Sequence, residues 1–346
     1  MTAVVPGPLV DGYDLLIFDL DGVVVLGSEA VPYAVEAVNR LYAEGRRVAY
    51  ATNNASRSPV QVAALLGGLG IGAVPDEVIT SPQAAAELLA GRLPAGAKVL
   101  VVGSGALADE VAAAGLEPVW HADDGPVAVV QGYDAGVGWA QLAEGCVAVR
   151  AGALWVATNA DRTLPSPRGP LPGNGALVAA LATALDRQPD EIVGKPAPGL
   201  FAQAARRVGA GTPLVVGDRL DTDIEGAVRA GMPSLLVLTG VATPADLLAA
   251  PPSQRPSHVA ADLRGLFTAG GTAALLPGDS GAGRAEGNGW RVRRHEHGIE
   301  LSGDGTPVDA LAVLCAVAWG TPGVDPDAIS AGNPGAATAL RALGLD

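Results

Sequence analysis

The chain has 346 residues, room for roughly two domains of about 150 residues each. Its net charge of −14 argues against non-specific binding to nucleic acid, and with only 3 Phe and 5 Tyr a platform for stacking bases is not expected. Hydrophobic residues make up 49% of it, yet no apolar run reaches the ~18–20 residues of a membrane span. The longest, Ala310–Trp319, is about half that length, so no membrane partner is expected. Met1–Val10 holds two prolines and no basic residue, unlike a secretion signal. Cys146 and Cys315 lie far apart in apolar surroundings and read as buried free thiols. The expected compartment is the cytoplasm.

In chain order, the apolar run Leu15–Phe18 reads as a buried strand and ends in Asp19-Leu20-Asp21-Gly22. A helix is expected near Val31–Glu44, a strand over Arg47–Ala51, and then Thr52-Asn53-Asn54-Ala55-Ser56 ahead of a helix near Pro59–Leu69. A middle region, roughly Thr80–Arg187, has its own series: strands over Lys98–Val102, Val127–Val130 and Ala153–Ala157, and a helix over Gly175–Leu185. Later come a strand over Thr212–Val216, a helix over Asp223–Ala230 and a strand over Ser234–Leu238. The alternation predicts an α/β fold with a parallel sheet covered on both faces. The Gly-rich stretch Pro277–Gly289 reads as a linker, followed by a hairpin (Trp290–Arg294 and Gly298–Ser302) and two helices.

Paired acids at the end of a buried strand are unusual, because ionised carboxylates resist leaving water. The reading that best explains Asp19 and Asp21 is a divalent cation and a nucleophile at the C-terminal edge of the sheet, where ligands of open α/β sheets bind. Three further signals fall at strand ends or helix starts: Thr52, Lys195 in Gly194-Lys195-Pro196, and Asp218 in Gly217-Asp218-Arg219-Leu220-Asp221-Thr222-Asp223. Each alone reads as a cap or a turn. In this order, the residues from Tyr13 to Thr239 resemble the haloacid dehalogenase (HAD) superfamily of aspartyl-phosphate phosphatases, with all four motifs in place. Thr52-Asn53-Asn54 and the long insertion before Lys195 resemble the subgroup with a large α/β (C2a) cap. That subgroup acts on 4-nitrophenyl phosphate, phosphoglycolate, pyridoxal phosphate and glycerol 3-phosphate.

The resemblance implies a Rossmann-like core (1–80 and 187–262), a cap (81–186), a linker (263–289) and a small α+β C-terminal accessory subdomain (290–346). It implies Mg2+ held by Asp19, the Asp21 main-chain carbonyl and Asp218, with Asp223 in support. Asp19 would be the nucleophile and Asp21 the acid and base. Thr52, Asn53, Asn54 and Lys195 would hold the phosphoryl group, so that Lys195 offsets the acidity of the chain locally. The cap would choose the substrate. Its Thr158–Pro165 segment, with Asp161, Arg162 and Leu164, and the Pro172–Ala176 segment look like the specificity loop and the helix start that follows it. Pyridoxal phosphatases carry His where Leu164 stands, and Leu cannot hydrogen-bond a pyridine ring. A small phosphorylated metabolite fits better, glycerol 3-phosphate first. Arg162 keeps phosphoglycolate open, and other sugar or nucleotide phosphates stay as alternatives. Large-cap members often dimerise through the cap, which leaves a homodimer as one expected state.

Two motifs compete for attention. Gly103-Ser104-Gly105-Ala106-Leu107-Ala108 matches a dinucleotide fingerprint with Asp123 and Asp124 downstream, but a tight strand-to-helix turn needs glycines anyway. Arg284-Ala285-Glu286-Gly287-Asn288-Gly289 has the R-x-x-G-x-G form of an acetyl-CoA pyrophosphate loop, in a tail too short for that whole domain. His121, His258, His295 and His297 form no convincing ligand set, and Arg291, Arg293 and Arg294 read as a solvated strand face. A signalling receiver also gathers acids, a Thr and a Lys, but is far shorter and phosphorylates a later strand. A catalytically dead sensor of a phosphorylated metabolite, with a weak acetyltransferase-like tail, is the third reading, and the intact motifs argue against it.

Overall fold

The computed structural model describes residues 7–164, 168–169, 171–209, 211–275, 283–295, 298–320 and 328–346. Its contacts divide the chain into two compact units. The first comprises Met1–Leu26, Ala30–Arg47 and Ala210–Asp346; the second comprises Gly27–Glu29 and Val48–Gly209.

In the first unit Leu15–Phe18 pairs in parallel with Pro213–Gly217, with Leu15 opposite Pro213 and Phe18 opposite Val216. Ser234–Val237 and His258–Ala260 add in parallel, and the short Ala273–Ala274 closes this edge antiparallel. Every residue of Leu15–Phe18 and of Ser234–Val237 is buried, as continuous apolar runs in a sheet covered on both faces should be. Asp19 N still donates to Val216 O at 2.9 Å, so the ladder runs one residue past the strand and carries the first acid on the sheet's C-terminal edge.

The C-terminal region forms a sheet of its own. Arg284–Gly287, Trp290–His295 and Gly298–Gly303 run antiparallel, and Ile329–Ala331 lies parallel to Gly298–Gly303. A parallel neighbour needs a crossover, and Pro307–Gly320 supplies the helical part of it. Along Trp290–His295, Trp290 and Val292 are buried while Arg291, Arg293, Arg294 and His295 face solvent. The basic cluster is therefore a solvated face, with Arg291 paired to Glu286. Trp290, Leu311, Leu314, Cys315 and Leu340 join one apolar core with Leu236, Leu247 and Val259 from around the main sheet. Within the stretch read as a linker, 263–289, the structure has a 3-10 turn at Leu263–Phe267, the edge strand Ala273–Ala274 and the strand Arg284–Gly287. Residues 276–282, which include the first part of the Gly-rich stretch, lie outside the described residues. The glycine count misses this order because Leu263, Leu266 and Ala273 are buried.

In the second unit a five-stranded parallel sheet runs in the order Glu191–Ile192, Leu154–Ala157, Ala128–Gln131, Lys98–Val102, Glu117–Val119. The two-residue period of a strand sorts its side chains. Val99, Val101 and Val130 pack with Leu89, Leu107 and Val111 of the helices Ser81–Ala90 and Gly105–Ala113. Leu100, Val102 and Val129 pack on the other face with Val149 and Leu181 of Trp139–Arg150 and Asn174–Leu185. Val78–Thr80 pairs in parallel with the end of Arg47–Thr52, with Thr52 opposite Thr80. Among the described residues no helix is long and apolar enough to cross a membrane. Both cysteines are free, Cys315 buried and Cys146 half-buried. Burial pushes the Cys315 thiol far above its usual range.

His258 opens its strand with Nε2 3.2 Å from the Tyr13 hydroxyl, and burial holds its pKa below the ordinary value. The neutral ring is thus favoured in the fold. Its contribution to stability is present above about pH 6.5 and is lost as pH falls through the lower, folded value. Thermal melts of wild type and His258→Gln between pH 7 and pH 5 check this. The wild-type melting temperature should fall more steeply, by about 2–4 °C over that interval.

Candidate active site

In the first unit Asp19, Asp218 and Asp223 offer carboxylate oxygens that all lie within 4.8 Å of one another, and all three residues are buried. Local backbone forces this meeting. Asp19 rides on the last rung of its strand, and Asp218 follows Gly217 at the end of the neighbouring one. A wider π-type turn, Leu220–Ile224, then swings Asp223 back, and its Oδ2 accepts from Arg219 N at 3.1 Å. A Cβ on Gly217 would stand 2.2 Å from the Cβ of Asp223, so glycine is what lets the turn close. The intervening Asp221 faces solvent and pairs with the Arg219 guanidinium at 2.9 Å. Exposure thus separates the ligand-like acids from the surface one within a single heptapeptide.

Asp218 is gripped from two further segments. Its Oδ2 accepts from Val241 N at 2.8 Å, and its carbonyl accepts from Ala242 N at 2.9 Å. A Cβ on Gly240 would fall 1.9 Å from Oδ2, and one on Gly22 would fall 2.4 Å from it. Gly22 has φ +87°, a conformation that suits glycine, and its carbonyl accepts from the Thr239 hydroxyl at 2.7 Å. Asp21, two residues beyond Asp19, is exposed, and its side chain stands outside the carboxylate trio. Two unit charges about 4 Å apart repel by ~4 kcal/mol at an effective dielectric of ~20. Three buried carboxylates in that range therefore call for a hard cation, and oxygen donors of this kind suit Mg2+.

In the second unit Asn53 is the hub. Its Oδ1 accepts from Lys195 N at 2.8 Å, and its Nδ2 donates to Lys195 O at 3.1 Å and to the Asp161 carboxylate at 3.1 and 3.3 Å. Its carbonyl accepts from Asn159 Nδ2 at 2.7 Å and from the Ser81 hydroxyl at 2.8 Å. A Cβ on Gly194 would meet Thr158 O at 2.4 Å and Asn53 Oδ1 at 2.7 Å, so the turn that carries Lys195 tolerates no side chain there. Thr52 is buried, with its Oγ1 accepting from Asn54 N at 3.0 Å, and Asn54 turns on itself to accept from Ser56 N and its hydroxyl. Lys195 is 3% exposed. The structure thus gathers Thr52, Asn53, Asn54, Lys195 and Asp161.

Arg162 is exposed, and half-buried Leu164 lies on the two-residue strand Thr163–Leu164 that pairs with Leu171–Pro172. Pro165 lies outside the described residues. The glycines of the Pro172–Ala176 segment have a steric reason. A Cβ on Gly173 would stand 2.4 Å from Asp161 O, and one on Gly175 would stand 2.2 Å from Ala160 O. Asn174, fully buried, donates to Asn159 O at 2.8 Å. Sequence reasoning placed Asn159 and Asn174 in the two cap segments without giving them a role of their own, and missed Ser81, Thr239, Gly240 and Val241. The one available signal was Thr239-Gly240 directly after a buried strand.

The competing motifs resolve differently. Gly103 turns the chain from strand to helix where a Cβ would press on Gly132 O at 3.0 Å, and Ser104 caps that helix itself by accepting from Leu107 N. Packing and capping account for the fingerprint. Arg284–Gly289 forms a strand and a hairpin turn, with Asn288 and Gly289 both at positive φ, and does not lead into a helix as a pyrophosphate loop must.

Residues 16–117 match the haloacid dehalogenase-like hydrolase family and residues 192–266 the HAD-hydrolase-like family; residues 288–345 match a GCN5-related N-acetyltransferase-like domain. D-Glycerol 3-phosphate phosphatase of Mycobacterium tuberculosis is 51% identical over 265 residues, 77% of this chain and 74% of that protein. Acid sugar phosphatase of Staphylococcus aureus is 35% identical over 237 residues, 68% and 90% of the two chains. A solved glycerol phosphate phosphatase of Mycobacterium tuberculosis, in complex with magnesium, superposes with a TM-score of 0.90 at 43% identity, over 98% of this chain and all of that one. The p-nitrophenyl phosphatase of Archaeoglobus fulgidus superposes at 0.68 and 31% identity, over 73% and 98%. These relatives are phosphatases, and the magnesium bound to one of them agrees with a trio of buried acids suited to that ion. The chain is a phosphatase and belongs to the haloacid dehalogenase-like hydrolase family.

Proposed function

We propose that this phosphatase hydrolyses glycerol 3-phosphate through a phosphoenzyme formed on Asp19. The observation that carries the reaction is the buried Asp19, Asp218 and Asp223 trio on one sheet edge. In this reading those three carboxylates and the Asp21 carbonyl hold Mg2+, which when bound neutralises charge between nucleophile and phosphate. An Asp19 oxygen attacks phosphorus as the bond to the leaving alkoxide breaks, and the exposed Asp21 carboxyl gives that alkoxide a proton. Asp21, now a carboxylate, then takes a proton from the water that attacks the aspartyl-phosphate, which restores Asp19 and frees inorganic phosphate. Thr52, the Asn53 and Asn54 segment and Lys195 cradle the transferred phosphoryl group.

Substrate choice rests on the 51% identity to a D-glycerol 3-phosphate phosphatase. The Leu at 164 favours a small aliphatic ester over an aromatic one that needs a ring hydrogen bond. Phosphoglycolate and sugar phosphates are the competing substrates, the latter because of the 35% relative. The same reading keeps 1–80 and 187–262 as catalytic core, 81–186 as cap with Asp161, Arg162 and Leu164 facing the choice of substrate, and 263–289 as a connection to the accessory region 290–346. A cytoplasmic homodimer belongs to it too, and light scattering would give the mass.

Phosphate release from a panel of small esters tests the substrate. Glycerol 3-phosphate should exceed phosphoglycolate and 4-nitrophenyl phosphate in kcat/KM by about tenfold or more, a gap of ~1.4 kcal/mol in transition-state binding. Equal rates across the panel would sink the choice of substrate. Chelation should abolish turnover and added Mg2+ restore it. Asp19→Asn should lose at least about a thousandfold in kcat, ~4 kcal/mol. An unchanged rate would leave Asp19 without its role and favour the metabolite sensor. Asn53→Ala removes hydrogen bonds to the Lys195 main chain and to a carboxylate. At ~1.5–3 kcal/mol for a bond to a charged group, it should lower kcat/KM by about 10–100-fold.

A further inference from the structure

The C-terminal region has the look of an acetyltransferase piece, yet its strand-to-helix junction is not built for an acyl-CoA. Between Gly298–Gly303 and Pro307–Gly320 the chain's own acids occupy the helix start. Asp304 Oδ1 accepts from Gly305 N at 3.0 Å, and the Thr306 hydroxyl accepts from Asp309 N at 3.1 Å while donating to Asp309 Oδ2 at 2.7 Å. Asp309, 7% exposed, also accepts from Asn288 Nδ2 at 2.7 Å. With Asp309 in the first turn and Asp304 just ahead of the helix, negative charge already stands where a pyrophosphate would have to sit. The region must do something else.

What it touches is the short helix Pro244–Leu248, which begins four residues after Gly240. The start of this segment is tied to Asp218 by Val241 N and Ala242 N. Its far end is tied to the C-terminal region. Trp319 Nε1 donates to Leu247 O at 3.0 Å, and Arg255 lays its guanidinium 4.9 Å from the Trp319 ring while its Nε donates to Ala250 O at 3.0 Å. Leu247 O, in the last turn of the helix, also accepts from Ala250 N at 3.2 Å, so the Trp319 indole is an additional donor from outside the segment. Leu247, 0% exposed, packs into the core it shares with Leu311 and Leu314.

We propose that the C-terminal region is a brace for the metal centre, with Trp319 as a positioning residue that holds the 240–248 segment against Asp218. This rests on Asp218 as a Mg2+ ligand. Gly240 touches the Asp218 carboxylate with no space for a methyl group, so any movement of the segment is felt at an oxygen of the trio. Trp319 is no member of the carboxylate trio; it acts through the Leu247 carbonyl.

Calorimetric titration of Mg2+ into the full chain tests the brace, using wild type, Trp319→Phe, Trp319→Ala and Asp218→Asn. Trp319→Phe keeps a ring for Arg255 and loses the donor. It should weaken Mg2+ binding about three- to tenfold, roughly the ~0.5–1.5 kcal/mol of one hydrogen bond, and raise the half-activating Mg2+ concentration by the same factor. KM for the ester at saturating Mg2+ should stay unchanged. Trp319→Ala should go further in the same direction; if it fails to fold, the Phe variant decides alone. A Trp319→Phe protein with wild-type Mg2+ affinity and only a lower melting temperature would overturn the brace. Unchanged Mg2+ binding in Asp218→Asn would overturn the metal reading beneath it. Loss of binding there, with an intact Trp319→Phe response, upholds both.

Discussion

Mutual repulsion among three buried carboxylates is the constraint around which the first unit is arranged. Left alone, Asp19, Asp218 and Asp223 would each prefer water or a proton. The sheet holds them together because two are backbone extensions of adjacent parallel strands and the third is returned by a wide turn. None of the three can relax without breaking main-chain hydrogen bonds to Val216, Val241 or Arg219. The strain of assembling like charges is carried by backbone, which is stiff, and would be offset by a cation, which the proposed reaction needs. The electrostatic cost and the chemical function are the same interaction seen from two sides.

The second unit solves a complementary problem with neutral groups. Asn53 satisfies a donor and an acceptor of Lys195's main chain and reaches the Asp161 carboxylate with one planar amide. An aspartate in its place would offer the acceptor and lose the donor, and would set a second negative charge against Asp161. A buried amide is costly unless every bond is made. This one makes them to residues more than a hundred positions away, which fixes the lysine turn and the loop after Leu154–Ala157 as one body within that unit.

Much of this was legible in the chain. The apolar runs at Leu15–Phe18 and Lys98–Val102 emerge as strands, and the Gly-Asp-x-x-x-x-Asp segment announces two acids of the trio. Local patterns suffice there because strand burial and short turns are local physics. What stayed hidden depends on pairs distant in sequence. Asn159 and Ser81 both reach the Asn53 carbonyl, and Trp319 reaches Leu247 across 72 positions. No periodicity encodes such meetings. The R-x-x-G-x-G segment is ambiguous for the opposite reason: Asn288 and Gly289 serve a hairpin turn, whose demand for positive φ looks the same in sequence as a phosphate loop's.

The order in which the two units are completed follows from their chain segments. Apart from three residues, the second unit is one continuous stretch, Val48–Gly209, whereas the first draws its core from both ends of the chain. During synthesis the second unit can close as soon as residue 209 is available. The first must wait, with Leu236, Leu247 and Val259 uncovered until Trp290, Leu311 and Leu340 arrive to share their core. A chain cut short in its last fifty residues would therefore lose more than an appendage. It would present an open apolar face in the unit that carries Asp19, Asp218 and Asp223, a form suited to quality-control proteases rather than to catalysis.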